Sequence, residues 1–218
     1  VAPAYARILA GQSTHTLVGA SFVAERRDIL LMFEAVHALS RGKWAPLWDR
    51  AAEDDGGMVM GSAGAFLVLE SRAYAEARGA HIYATLSGVE GDRGKREDGN
   101  FEERFARLLA DAGFEGGTNE AVFSGATGLS ALTKQEADVL KSGFPDTPLR
   151  GYTGMTGHAM EANFPLGIAL AALSLDAKAR VPVFNDGEAS MPAPAEKIAV
   201  TTVGLQRGEG VAVLVGEK

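Results

Sequence analysis

The stretch that decides the fold is GYTGMTGH, residues 151–158, which runs into an apolar, alanine-rich segment at residues 159–175. Its glycines and threonines indicate a sharp bend of the backbone. The segment that follows is long enough for about four or five turns of helix. The sequence therefore predicts that His158 lies at or near the start of a helix.

His158 is the candidate functional side chain of this stretch. The positive end of a helix dipole and the unpaired N–H groups of the first turn disfavour a protonated imidazole, so we expect a neutral ring near pH 7. A neutral imidazole can donate one N–H to a carbonyl or enolate oxygen. A histidine that only caps or packs a helix is the alternative interpretation.

Size and composition indicate a globular protein. The chain has 218 residues, of which 46% are hydrophobic, so it can bury a sizeable core. Its net charge of −7 argues against nucleic acid as a partner, because phosphate backbones require clustered basic residues. We find no apolar run long enough for a membrane span and no basic-then-apolar leader, and we therefore expect a cytoplasmic protein.

Cysteine is absent from the sequence, which excludes disulfides, thiolate metal ligands and a cysteine nucleophile within these residues. The four histidines, at positions 15, 37, 81 and 158, do not have the spacing of metal ligands. We therefore expect no metal and no other cofactor.

Hydrophobic patterning predicts alternating helices and strands, which is typical of an α/β layered domain. In the first part of the chain we predict helices at residues 1–10, 28–39 and 72–78, and strands at residues 14–18 and 65–70. The strand at residues 14–18 is predicted to be short and buried. Residues 40–55 are predicted to be a polar connector.

In the second part of the chain, the predicted helices are residues 101–112 and 134–141, and the predicted strands are residues 82–89 and 121–123. Residues 90–100 are charged and contain glycine, so we predict a surface loop with no chemistry. An apolar hairpin of residues 198–205 and 210–215 should close the sheet.

Several stretches, in order and spacing, resemble one family. Residues 151–158 resemble the motif STKSMTGH, and residues 55–70, DGGMVMGSAGAFLVLE, resemble DGFVMGEGAGVLVLE, with Ser62 replacing a glutamate. These are motifs of the β-ketoacyl-acyl-carrier-protein synthases, the condensing enzymes of fatty acid and polyketide synthesis. The resemblance implies a thiolase-like layered α/β fold with a mixed β-sheet. Residues 1–78 would end the N-terminal half, and residues 79–218 would form the C-terminal half with its five-stranded sheet.

The same resemblance implies that other residues occupy most of the family's catalytic positions. The nucleophilic cysteine would fall a few residues before Val1. Counting back from Glu136 puts Gly125 at the first catalytic histidine, which the family carries in NAHGTST. The lysine of STKSMTGH falls at Thr153, and the glutamate that pairs with this lysine falls at Gly167.

His158 then corresponds to the family's second catalytic histidine, a remnant that could donate to an oxyanion or a thioester carbonyl. The family also has a turn, SFGFGGTNA, whose phenylalanine gates the active site. The gate region of this chain is Leu205, Gln206 and Arg207, which lack that ring and form a polar turn with Glu209.

These substitutions lead to a first hypothesis, a ketosynthase-like subunit of fatty acid or polyketide chain elongation that is catalytically weak or silent. It would resemble the chain-length-factor partners of active synthases. One alternative is a divergent, active acyltransferase that performs a decarboxylative Claisen condensation with a cysteine upstream of Val1. Another alternative is a non-catalytic dimerisation module.

The resemblance also implies partners. These are an acyl-carrier protein and, for the dimer, a ketosynthase-like chain or a second copy of this chain. Because carrier proteins are acidic, the docking surface should be basic, and its candidates are Arg26, Arg27, Arg41 and Lys43. Charge scattered over the surface for solubility is the alternative explanation of these four residues.

Overall fold

The computed structural model describes residues 1–52, 57–94, 96 and 100–217. Its helices are α1 Ala2–Leu9, α2 Arg27–Ala35, α3 Leu47–Ala52, α4 Arg72–Ala77, α5 Phe101–Asp111, α6 Ser130–Gly143, α7 Thr153–Thr156 and α8 Asn163–Asp176, with a 3-10 turn at Met160–Ala162. Its strands are β1 His15–Phe22, β2 Ala63–Glu70, β3 Thr85–Asp92, β4 Glu120–Ser124, β5 Leu149–Gly151, β6 Lys197–Val203 and β7 Glu209–Val215. None of the described helices could cross a membrane.

A five-stranded mixed sheet forms the centre of the fold, in the order β3-β7-β6-β4-β5. Strand β4 runs parallel to β5 and β6, whereas β7 runs antiparallel to β6 and β3. The mixed sheet agrees with the predicted α/β thiolase-like fold. The hairpin of β6 and β7 also forms as predicted, but it lies in the middle of the sheet and does not close its edge, because β3 pairs with the free side of β7.

Helices α5 and α6 cover one face of this sheet. The apolar residues of α5 recur at helical spacing, so that Phe101, Phe105, Leu108 and Leu109 are all buried on one side. They pack against side chains of the sheet such as Val211 and Val213. The prediction of an amphipathic helix at residues 101–112 agrees with this structure.

Helix α8 covers the opposite face of the five-stranded sheet and contacts β2 on its other side. A helix between two sheets must be apolar over most of its circumference, and the sequence NFPLGIALAALSLD has this composition. The residues of α8 that pack into the main core include Ile168, Ala171 and Leu175. The layers are therefore α5 and α6, the large sheet, α8, and then a small sheet.

Strands β1 and β2 form this small sheet, an antiparallel pair running from His15↔Glu70 to Phe22↔Ala63. The prediction of a short, buried strand at residues 14–18 was wrong. The strand has eight residues and alternates between partly buried and exposed positions, because only one face of the pair packs on the protein. The other face exposes Leu17, Phe66 and Val68, each by more than 60%.

Two further elements differ from the sequence prediction. Helix α2 ends at Ala35 and not at residue 39, since His37 has a positive φ of 53° and Leu39 pairs with Met58. The connector predicted at residues 40–55 contains α3, while residues 53–55 lie outside the described part. All strands of the large sheet fall within residues 79–218 and both strands of the small sheet within residues 1–78. The division of the chain at residue 78 stays a prediction.

Candidate functional site

The stretch at residues 151–158 bends as its glycines predict. Strand β5 ends at Gly151, α7 follows at once, and Gly157 turns the chain with a φ of 70°. A β-carbon at Gly157 would lie 2.7 Å from the Cα of Gly61, so the close approach of two backbones requires glycine here. The long helix begins at Asn163, later than the sequence indicates.

His158 is held by its backbone against residues 59–61. Its N–H donates to the carbonyl of Val59 at 2.8 Å, and its carbonyl accepts from the N–H of Gly61 at 3.1 Å. His158 therefore bridges to the segment before β2 and precedes the 3-10 turn. His158 thus lies near a helix start, as the sequence predicts, but it precedes the 3-10 turn and α8, because the chain pairs with this neighbouring segment before it coils.

The imidazole of His158 is buried, with 8% of the residue exposed. Burial lowers its pKa to about 4, and the nearby Glu161 carboxylate opposes this change. Nδ1 lies 3.4 Å from the backbone N–H of Met160 and accepts from it, so the hydrogen of the neutral ring is on Nε2. The ring is neutral near pH 7 as expected, but desolvation is the main cause.

Gly125 and Gly167 lie against the same side chain, that of Tyr152. A β-carbon at Gly125 would be 2.7 Å from Tyr152 Oη, and one at Gly167 would be 2.7 Å from Oη and 2.8 Å from Cζ. Tyr152 is fully buried, and its hydroxyl donates to the carbonyl of Asn163 at 2.9 Å. The phenol ring therefore fills the space between the two positions that the resemblance assigns to lost catalytic side chains.

Thr153 and Asn163 complete the lining of this cluster. The Thr153 hydroxyl donates to the carbonyl of Ala126, and Asn163 Nδ2 donates to the carbonyl of Gly125 at 3.2 Å. Both residues are buried. The Thr153 hydroxyl and Asn163 Nδ2 thus bind the backbone of the loop after β4, while Asn163 Oδ1 is buried without a hydrogen-bond partner. Thr153 therefore has a structural hydrogen bond where the family has a lysine.

Glu136 is a buried acidic residue next to this cluster. Its Oε1 accepts from Ser124 Oγ at 2.8 Å and from Thr201 Oγ1 at 2.6 Å, while burial raises the pKa of its carboxyl group. Sequence reasoning used this residue only to count positions. The signal that could have identified it is an acidic residue on the buried side of α6, next to Ala137 and Leu140.

The gate region is a turn between β6 and β7 that is held from outside the hairpin. Arg96 pairs with Glu209 at 2.6 Å and donates to the carbonyls of Gly204 and Leu205, and Arg104 pairs with Glu209 at 3.1 Å. Glu209 is buried. Of the surface loop predicted at residues 90–100, residues 90–92 belong to β3, residues 95 and 97–99 lie outside the described part, and Arg96 is largely buried against Glu209. A buried glutamate needs a cationic partner, and this requirement was the signal that could have pointed to an arginine paired with Glu209.

Within the gate region, Gln206 and Arg207 are exposed, whereas Leu205 packs against the same apolar cluster as Met60 and Met160, which flank His158. The sequence predicted a polar turn formed by the gate region with Glu209. In the structure, Glu209 pairs instead with Arg96 and Arg104, which lie outside this turn. The structure thus brings Gly125, Thr153 and Gly167 around Tyr152 and brings Leu205 close to the His158 segment. The part of the chain that the structure describes has no group of three or more acidic or histidine residues that could hold a metal.

Solved structures of ketosynthases have the same fold as this chain. The ishigamide ketosynthase/chain length factor matches with a TM-score of 0.78 and 22% identity over 98% of this chain and 57% of its own. A type II polyketide acyl-carrier protein in complex with its ketosynthase matches with a TM-score of 0.79 and 23% identity over 99% and 59%. A β-ketoacyl synthase from Burkholderia phymatum STM815 matches with a TM-score of 0.79 and 21% identity over 100% and 58%.

These similarities define the class of fold. The chain has the thiolase-like fold of the ketosynthases, with its five-stranded mixed sheet. It spans less than two thirds of the length of each of these three structures. Neither a protein-family model nor a curated protein matches the sequence.

Proposed function

We propose that this protein is a ketosynthase-like subunit of fatty acid or polyketide chain elongation and that this chain is catalytically silent. One observation carries the proposal. Two positions that the resemblance assigns to catalytic side chains are glycines, Gly125 and Gly167, and the buried ring of Tyr152 fills the space between them. A chain that keeps the fold and fills its site in this way is suited to assembly and not to chemistry.

Condensation requires groups that this chain lacks. A thiolate must hold the acyl chain, and two neutral N–H donors must stabilise the enolate that forms when malonyl thioester loses carbon dioxide. The cysteine position would fall before Val1, and of the two donors only His158 is present within these residues. The lysine and the glutamate that Thr153 and Gly167 replace would form an ion pair. Their joint loss is physically consistent, since one charge left alone in a buried site costs several kcal/mol.

The proposed partners are an active ketosynthase, or a second copy of this chain, and an acyl-carrier protein. Support comes from the similar structures, two of which are a ketosynthase/chain length factor and a ketosynthase in complex with its carrier protein. Arg26, Arg27, Arg41 and Lys43 are exposed, as a docking surface for an acidic carrier protein requires. The proposed location is the cytoplasm, where acyl chains are elongated on carrier proteins.

The test is reconstitution with the full-length gene product. The protein is assayed for condensation of acyl- and malonyl-carrier-protein thioesters alone, and again after co-expression with an active ketosynthase from the same organism. We expect no product from the protein alone and product from the co-purified pair. Unaided condensation would contradict the proposal. If no ketosynthase co-purifies, the dimerisation module becomes the better explanation.

A divergent, active acyltransferase is the second candidate, and the neutral His158 favours it. The Nδ1 atom of the ring accepts a hydrogen bond, so Nε2 carries the hydrogen that an oxyanion would need.

Replacing His158 by alanine in the full-length protein separates these two functions. The active enzyme should lose about a hundredfold in rate, because one oxyanion donor is removed. The matched control is His81→Ala, which removes an exposed histidine paired with Asp176. An unchanged rate in the His158→Ala variant would leave the second candidate without a catalytic group.

A further inference from the structure

We propose that Tyr152 closes the site of this chain. Its phenol occupies the space that the reacting end of a thioester would have to enter, and a β-carbon at Gly125 or Gly167 would meet that phenol as well as Thr201 or Val200. The assignment of this space to a thioester rests on the proposed function. The mutual dependence of the three residues rests on their packing alone.

The packing shows that the three positions form one unit. Gly125 follows β4, Gly167 lies in the second turn of α8, and the ring of Tyr152 lies between them in the core that joins the large sheet to α8. β-carbons at both glycine positions would approach Tyr152 to 2.7 Å, closer than real β-carbons come to other heavy atoms. A ring at residue 152 and a side chain at residue 125 or 167 therefore exclude each other.

Hydrogen bonds fix the ring in this position. Tyr152 Oη donates to the carbonyl of Asn163 at 2.9 Å, and Asn163 Nδ2 donates to the carbonyl of Gly125 at 3.2 Å. Burial raises the pKa of the phenol, so the hydroxyl keeps its hydrogen. The ring thus has a partner for its polar end and apolar neighbours such as Phe123 and Val200 along its length. Nothing in this arrangement favours a swing of the ring out of the core.

The Tyr152→Ala variant tests the closure directly. Removal of the ring leaves an enclosed space with an apolar wall and the carbonyl of Asn163 at its polar end, and such cavities bind small aromatic molecules. Phenol matches the missing side chain in shape and in its donor. We expect phenol to raise the Tm of Tyr152→Ala in a saturable manner, toluene to raise it less, and neither to raise the Tm of the wild type.

The matched control is Tyr83→Ala, because Tyr83 is 49% exposed and its removal leaves no enclosed space. This variant should gain no response to phenol. Two results would overturn the closure: a folded Tyr152→Ala protein that phenol does not stabilise, or a wild-type protein that phenol stabilises equally.

A double-variant experiment covers the case in which Tyr152→Ala does not fold. Gly167→Ala is introduced into the wild type and into Tyr152→Leu, whose shorter side chain removes the contacts of the new β-carbon with Oη and Cζ and leaves its 2.7 Å contact with Val200 Cγ1. We expect the Gly167→Ala change to reduce the folding equilibrium constant at least about tenfold more in the wild type, since residues in contact couple strongly. Equal penalties in the two backgrounds would overturn the proposal.

The thioester is tested separately with octanoyl-pantetheine, a small acyl thioester. We expect no heat of binding to the wild-type protein at millimolar concentration, and saturable binding to the wild type would contradict the closure. Phenol binding depends on the packing of Tyr152, whereas condensation by the co-purified pair depends on the proposed function. The closure by Tyr152 and the proposed function can therefore each be contradicted without the other.

Discussion

Replacing both Arg96 and Arg104 by alanine should lower the free energy of unfolding by about 3–5 kcal/mol, because Glu209 would remain buried without a cation. The Glu209 side chain is 1% exposed, and the side chains of Arg96 and Arg104 are 13% and 12% exposed. Arg96 also donates to the carbonyls of the gate turn, so the turn should loosen in the same variant. Urea denaturation monitored by circular dichroism gives the energy from the shift in midpoint.

Three controls accompany this measurement. Each single arginine variant should be less destabilised than the double variant, since the other arginine still pairs with Glu209. Arg207→Ala, in the same turn but exposed, should change the stability by no more than about 0.5 kcal/mol. Adding Glu209→Gln to the double variant should restore part of the loss, because the buried charge is gone. A double variant as stable as Arg207→Ala would show that the ion pairs do not hold the turn.

Acidification should destabilise the protein through His158. The folded-state pKa of about 4 lies below the value of about 6.5 for an unfolded histidine, so the stability due to the neutral ring is fully present above pH 6.5. It is lost as the pH falls from about 6.5 to about 4, and the loss approaches about 3 kcal/mol. We expect the wild type to lose this much more stability than His158→Gln over the same pH range.

The difference in pH-dependent stability between the wild type and His158→Gln isolates the contribution of His158 from those of other groups. Burial raises the pKa of Glu136, and a raised carboxyl pKa contributes stability that is present at low pH and is lost as the pH rises. The contribution of Glu136 to stability therefore changes with pH in the opposite direction to that of His158. It is the same in the wild type and in His158→Gln, so it cancels in the difference between them. Proton NMR should also show the His158 ring neutral down to about pH 4. If the ring titrates near 6.5 in the folded protein, its burial has been misjudged.

The sequence predicts local features of this fold well. The spacing of Phe101, Phe105 and Leu109 determines which side of α5 is buried, and the glycines of residues 151–158 mark a real bend. The likeness of residues 55–70 and 151–158 to ketosynthase motifs led to the correct fold class. These features depend on neighbours in the chain.

Features that depend on distant residues were missed. The hairpin of β6 and β7 has an apolar pattern that suits an edge or a central position equally, so its place beside β3 could not be predicted. Arg96 pairs with a residue 113 positions away, and charge alone did not distinguish it from Arg207. Tyr152 was quoted within the motif, yet its role depends on Gly167 and Asn163, which only the folded chain brings to it.

The central place of β6 and β7 has a consequence for how the protein acquires its structure. Strand β3 pairs with β7 from Thr85↔Val215 onward, and β4, which also pairs with β5, pairs with β6 from Glu120↔Lys197 onward. The partner of β3 and the second partner of β4 therefore lie in the last part of the chain. Contacts so far apart in sequence make folding slow. During translation, the large sheet can be completed only after residues 197–215 have left the ribosome, and until then β3 and one edge of β4 are without these strand partners.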